Sequence, residues 1–117
     1  MRVIAGKARR LQLKTIEGMN TRPTQDRTKE TMFNVINNYV PGCYFLDLFS
    51  GSGGIGIEAA SRGAKKCVLV ENNRQAYDCI MYNLKYTKLE DVSKVMFTTV
   101  ESAIKQLDNT GEHFDIV

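Results

Sequence analysis

Apolar positions along this chain follow two alternating periods. Residues 3–5 and 11–13 are short β-like runs on either side of Gly6-Lys7-Ala8-Arg9-Arg10, which predicts a small basic hairpin. Residues 18–23 are punctuated as a loop. Met32, Phe33, Val35, Ile36 and Tyr39 then recur at helical spacing, behind Thr24 or Asp26 as a cap and ahead of a Pro41-Gly42 stop. From there strand and helix alternate. Residues 44–48 read as a first strand, and a glycine-rich turn leads into a helix through Ile57, Ala59 and Ala60 that stops at Gly63. Residues 67–70 read as a second strand ending at Glu71. Asn73 is expected to cap a helix with Ala76, Tyr77, Ile80, Met81 and Leu84 on one face. Residues 95–100 read as a third strand, 103–107 as a short helix, 108–111 as a loop, and Phe114 to Val117 as the start of a fourth strand. Such alternation predicts a parallel sheet with helices on both faces. It divides the chain into a hairpin, loop and helix over residues 1–40 and a sheet-forming part over 41–117.

Composition narrows the class without deciding it. The chain has 117 residues, 43% hydrophobic and 25% charged, which suits one globular domain and neither a disordered nor a fibrous chain. No apolar run reaches the roughly 18–20 residues of a membrane span, and the first residues lack the apolar stretch of a signal peptide. Cys43, Cys67 and Cys79 are odd in number, widely spaced and set among apolar neighbours. That predicts reduced, packed thiols of a cytoplasmic protein, with no disulfide frame and no metal site. The net charge of +3 is unevenly spread, with +5 over residues 1–30 and −2 over the rest. A basic arm before a mildly acidic body fits a polyanionic partner, and equally fits a solvated surface.

The candidate chemistry lies in residues 47–71. Gly51-x-Gly53-x-x-Gly56 falls between a predicted strand and a predicted helix, and Glu71 ends the next strand 20 residues after Gly51. In an open α/β sheet, glycines there let the backbone approach a nucleoside, and the acid accepts hydrogen bonds from ribose hydroxyls. A tight turn that needs glycines for packing alone is the other reading. Asp47, at the carboxyl end of the first strand, would repel a diphosphate and suit a cationic ligand. It therefore favours S-adenosylmethionine over NAD, unless its carboxylate only orders the loop or caps the helix.

Residues 45–64, from Phe45-Leu46-Asp47-Leu48-Phe49-Ser50-Gly51-Ser52-Gly53-Gly54-Ile55-Gly56 onward, resemble the cofactor loop of the RsmD-type 16S rRNA (guanine-N2)-methyltransferases. Met1-Arg2-Val3-Ile4-Ala5-Gly6-Lys7 and Thr21-Arg22-Pro23-Thr24-x-Asp26-Arg27-x-Lys29-Glu30 resemble the opening of the same family. The resemblance implies an incomplete Rossmann-like class I methyltransferase sheet of about four strands, S-adenosylmethionine as methyl donor, and 16S rRNA or a small-subunit assembly intermediate as partner. It implies that Asp47, Gly51 and Gly53 line the methionine end of the cofactor, that Glu71 holds the ribose and that Asn72 lies against the adenine. An Asp-Ala pair that meets the adenine amino group in the family is matched here by Ser102-Ala103 after Glu101, so Glu101 and Ser102 both remain candidates. Arg22 and Thr24 would fold over the cofactor, with Arg9, Arg10, Lys14, Arg27 and Lys29 on the RNA. Arg27 and Lys29 could instead be helix-face partners of Glu30.

The family's Asp/Asn-Pro-Pro-Tyr motif, which orients the exocyclic amine of a base taken out of its helix, follows the fourth strand and so would lie beyond Val117. The 117 residues hold no such motif, and His113, in a polar loop, reads as solvated. A polypeptide of these residues alone is expected to expose an unpaired strand and to self-associate without methylating RNA. The alternatives are a cofactor- and RNA-binding fragment without activity and, further off, an NAD-dependent oxidoreductase domain.

Overall fold

The structure, a computed structural model, describes residues 1–15 and 26–117 in full and the backbone of residues 23–25. Its centre is a parallel sheet of β1 (Tyr44–Asp47), β2 (Lys66–Glu71) and β3 (Ser93–Phe97), side by side in that order. Asp47 stands opposite Leu69 and Glu71 opposite Phe97, so the three strands end together at one edge. Residues 114–117 come back to the free side of β1. Ile116 bridges Phe45 in parallel, and its carbonyl accepts from the Leu46 amide at 2.9 Å. The chain order thus reverses beside β1.

Right-handed crossovers dictate where the helices fall. Among the sheet-connecting helices, α2 (Gly54–Ser61) and α3 (Arg74–Thr87) advance the sheet in one direction and share a face with the hairpin and α1 (Pro23–Ile36). Phe45, Cys67 and Leu69 meet Phe33, Ile57 and Ile80 there. The return helix α4 (Val100–Thr110) takes the opposite face, where Leu46, Val68, Val70 and Met96 meet Ala103 and Leu107. The expected α/β sheet with helices on both faces is what forms. All three cysteines are buried and unpaired, and burial pushes the Cys67 thiol up to about 12.

The hairpin forms as a tight turn, with the Val3 amide on the Leu11 carbonyl and the Leu13 amide on the Met1 carbonyl. Several expectations are corrected. Helix α1 begins at Pro23, whose fixed φ and missing N–H suit a first helical position, so Thr24 and Asp26 lie inside the helix. Only Phe33 of its apolar set is fully buried, while Met32, Val35 and Tyr39 are exposed, because α1 meets the core along the Lys29–Phe33 line. On α3, Asn73 caps as expected, its Oδ1 accepting from the Ala76 amide at 3.0 Å. Met81 is exposed there and Asn83 is buried in its stead. Strand β3 occupies residues 93–97 and not 95–100. Thr99 turns the chain into α4 by accepting from the Ser102 amide at 3.2 Å, and Val100 opens that helix.

The fourth strand expected to begin over Phe114 to Val117 does so at Ile116, which bridges Phe45 in parallel. The Tyr44 amide, which a longer ladder would bond to backbone, is taken by the Asp115 carboxylate at 2.8 Å.

Candidate functional site

The site is built where the three strands end. Helix α2 packs so closely on β2 that a Cβ on Gly56 would sit 2.7 Å from the Leu69 side chain. Gly53, in the left-handed region at φ 88°, starts that helix without any side-chain cap. Two carboxylates organise the backbone between strand and helix. Asp47 Oδ2 accepts from the Gly56 amide at 3.2 Å and Oδ1 from the Phe49 amide at 3.4 Å. Glu71 Oε1 accepts from the Gly51 amide at 2.9 Å and Oε2 from the Asn73 amide at 3.0 Å. Burial pushes the Asp47 carboxyl above its ordinary range, opposed by those amide hydrogen bonds.

The predicted residues separate into two adjoining clefts. One, of about 300 Å³, is lined by Glu71, Asn72 and Glu101 together with Thr98, Thr99, Val70 and Val100. The other, of about 360 Å³, is lined by Asp47 with Met32, Ile36, Ile55, Ile116 and Val117. Leu48 and Phe49 line both and divide them. Phe49 is 81% exposed, a large apolar ring standing at the rim. Of the two adenine candidates, Glu101 lines the first cleft. Ser102 faces along α4, where its hydroxyl accepts from Gln106 Nε2 at 3.1 Å. The Gly51 amide is held by Glu71 and the Gly53 amide by the Ser50 carbonyl at 2.7 Å. Arg22 and the side chain of Thr24 lie outside the described residues.

The first cleft carries two carboxylates, and no Lys or Arg lines it among the described residues. Such a cavity, with apolar walls and hydrogen-bond acceptors at its end, suits a neutral nucleoside or a cation and repels phosphate. Thr98 and Thr99 were not singled out from the sequence. Thr99 as a cap with the acid Glu101 in the first turn after it, a helix-start signal, could have placed them at the strand end.

The basic residues do not behave as one set. Arg9, Arg10, Lys14 and Arg27 are exposed. Lys29 is not, which corrects its expected place on RNA. Its Nζ lies 3.2 Å from Glu58 Oε1 and donates to the Arg2 carbonyl at 2.7 Å, with the side chain 1% exposed. Burial lowers the Lys29 pKa while Glu58 opposes the shift. Glu58 also accepts from the Ile4 and Ala5 amides at 2.9 and 3.1 Å and from Arg62 Nε at 2.8 Å. This fully buried carboxylate, not foreseen, fastens the arm to α2. Its signal was a lone acid inside the apolar run Ile57-Glu58-Ala59-Ala60.

The family described as "Conserved hypothetical protein 95" matches residues 1–117. The chain is 43% identical over 104 residues to YlbH of Bacillus subtilis (strain 168), covering 89% of this chain and 56% of that protein. It is 36% identical over 118 residues to the ribosomal RNA small subunit methyltransferase D of Haemophilus influenzae, covering 100% and 61%. A solved hypothetical protein of Thermus thermophilus superposes with a TM-score of 0.85 at 33% identity, covering 97% of this chain and 64% of that one. A SAM-dependent methyltransferase of Agrobacterium tumefaciens, at 21% identity and a TM-score of 0.67, covers 82% and 31% and shows the fold alone. The chain spans about half the length of the curated relatives it matches.

Proposed function

The chain belongs to the family described as conserved hypothetical protein 95, the RsmD family, and from that membership we propose that its protein methylates small-subunit ribosomal RNA with S-adenosylmethionine as donor. The target is guanine N2, on 16S rRNA or a small-subunit assembly intermediate in the cytoplasm. One observation carries the cofactor: the Asp47 carboxylate is seated in the glycine turn, accepting from the Gly56 amide at 3.2 Å, where a dinucleotide would bring its diphosphate. S-adenosylmethionine brings an ammonium, a sulfonium and no phosphate, whereas NAD would bring a diphosphate against carboxylates. That is why the oxidoreductase alternative is the weaker reading.

The residues present fit the cofactor's parts. Glu71 uses one lone pair of each oxygen on an amide, and the remaining pairs can accept ribose hydroxyls. Asn72 and Glu101 stand where an adenine edge would lie, with Leu48, Val70 and Val100 as apolar walls. Asp47 sits beyond Leu48 and Phe49, on the side where a positively charged methionine end would meet it. Bound there, the cofactor supplies an electrophilic methyl group. The chain's own part is to hold that group in place and keep water from it.

Calorimetric titration with S-adenosylhomocysteine and with NADH tests the cofactor. The homocysteine product is expected to bind and NADH is not. Glu71→Ala should weaken binding by about 1.5–3 kcal/mol for each charge-assisted hydrogen bond removed, and Glu71→Gln by less. Unchanged affinity in both variants removes Glu71 from the ribose. Methyl transfer from labelled cofactor to 16S rRNA and to isolated small subunits, read by nucleoside mass spectrometry, tests the substrate. Modification at any position other than guanine N2 overturns that assignment.

A further inference from the structure

Helix α3 carries a second surface that the cofactor cleft does not use. Its inner side is closed by Ala76, Ile80 and Leu84. On its outer side Tyr82 and Tyr86 stand one turn apart, 53% and 46% exposed. Their rings lie within 10° of parallel with centroids 6.2 Å apart. Lys14 Nζ stands over the Tyr82 ring, 5.1 Å from its centroid. The backbone holds that lysine in place. The fully buried Asn83 accepts from the Lys14 amide at 2.8 Å and donates to the Lys14 carbonyl at 2.9 Å. Lys85 is exposed three residues after Tyr82, hence on the neighbouring helix face. The nearest acid on the same line, Asp78, is taken up by Arg74 at 3.1 Å.

We infer that Lys14, Tyr82, Lys85 and Tyr86 form a stacking platform for single-stranded RNA, an inference that rests on RNA being the substrate. Two near-parallel rings offer π-faces to unpaired bases, and the flanking ammoniums meet the phosphates between them. Through Lys14, the arm that also carries the exposed Arg9 and Arg10 is fastened to α3 beside the rings. Protein interfaces are depleted in lysine, and two lysines, Lys14 and Lys85, flank these rings. Stacking of this kind tolerates sequence. The platform therefore grips RNA that flanks the target and contributes to affinity, leaving the methyl-transfer step alone.

The test uses the full-length protein, a fluorescent single-stranded oligoadenylate, and a duplex of equal length. Tyr82→Leu/Tyr86→Leu keeps the helix and its inner face, which circular dichroism verifies. The double variant is expected to bind the single strand at least about tenfold more weakly, with the salt slope and duplex affinity unchanged. Lys14→Ala is expected to lower the slope. Wild-type binding that both variants preserve overturns the platform and leaves the RNA reading standing. Equal loss on single strand and duplex also overturns it, as does relief of a self-association or protein contact without change in RNA affinity. Absence of RNA binding by the wild type overturns both.

Discussion

Asp47 gives the site a signature that can be read without any ligand. Its carboxyl is pushed above its ordinary value of 3.8 by burial, more than the amides of Phe49 and Gly56 pull it down. Between 3.8 and the raised native value, the folded chain holds a proton that the unfolded chain has released. Stability from this group therefore falls as pH rises through that window and is regained on acidification. Asp47→Asn cannot titrate, so the urea midpoint of the wild type should decline relative to the variant's as pH rises from 3.8. Parallel midpoints across the series would remove Asp47 as a strained acid. Glu71, one strand over, gives both oxygens to backbone amides and sits in a cleft lined by no Lys or Arg among the described residues, so its replacement should be felt first in ligand affinity. The division of labour follows from where each carboxylate points.

At the scale of elements, the arm is held by backbone contacts that a single methyl group can disrupt. Gly6 sits at φ 90°, and a Cβ there would fall 1.9 Å from the Ser61 carbonyl oxygen. The Lys7 amide donates to that same oxygen at 2.9 Å. Gly6→Ala should destabilise the chain by about 1–3 kcal/mol in urea unfolding and make trypsin cut first at Lys7, Arg9 or Arg10. Wild-type stability with no new cleavage would show the arm to be dispensable. The sequence already spelled out the sheet, because β1 and β2 are unbroken apolar runs closed by acids and separated by a glycine turn. It misplaced β3 and the inner face of α3 for a common reason. Val100 is apolar yet opens a helix behind Thr99, and Asn83 is polar yet buried because three backbone groups satisfy it. Periodicity alone does not register side chains whose partners are backbone atoms. Lys29 was misread because a buried partner 29 residues away is invisible to local spacing.

For the molecule as a whole, the reversal of chain order beside β1 gathers the acidic clefts at the carboxyl edge, as open α/β sheets generally do. The exposed Arg9, Arg10, Lys14 and Arg27 lie on the arm and α1, and none of them lines either acidic cleft. Substituting Arg9, Arg10 and Arg27 together by alanine should weaken RNA binding and lower its salt slope by about 0.7–0.9 for each phosphate no longer neutralised. A fluorescence titration over a salt series measures it, and an unchanged slope would move the RNA surface elsewhere. The arm's fastening also fixes an order in time. Ile4 and Ala5 are bonded to Glu58 across 54 and 53 residues, and Lys14 to Asn83 across 69. Chain closure over such spans is slow compared with forming a local helix. Ile4, Ala5 and Lys14 therefore stay uncommitted until α2 and α3 have been synthesised, and the arm settles only onto helices already made.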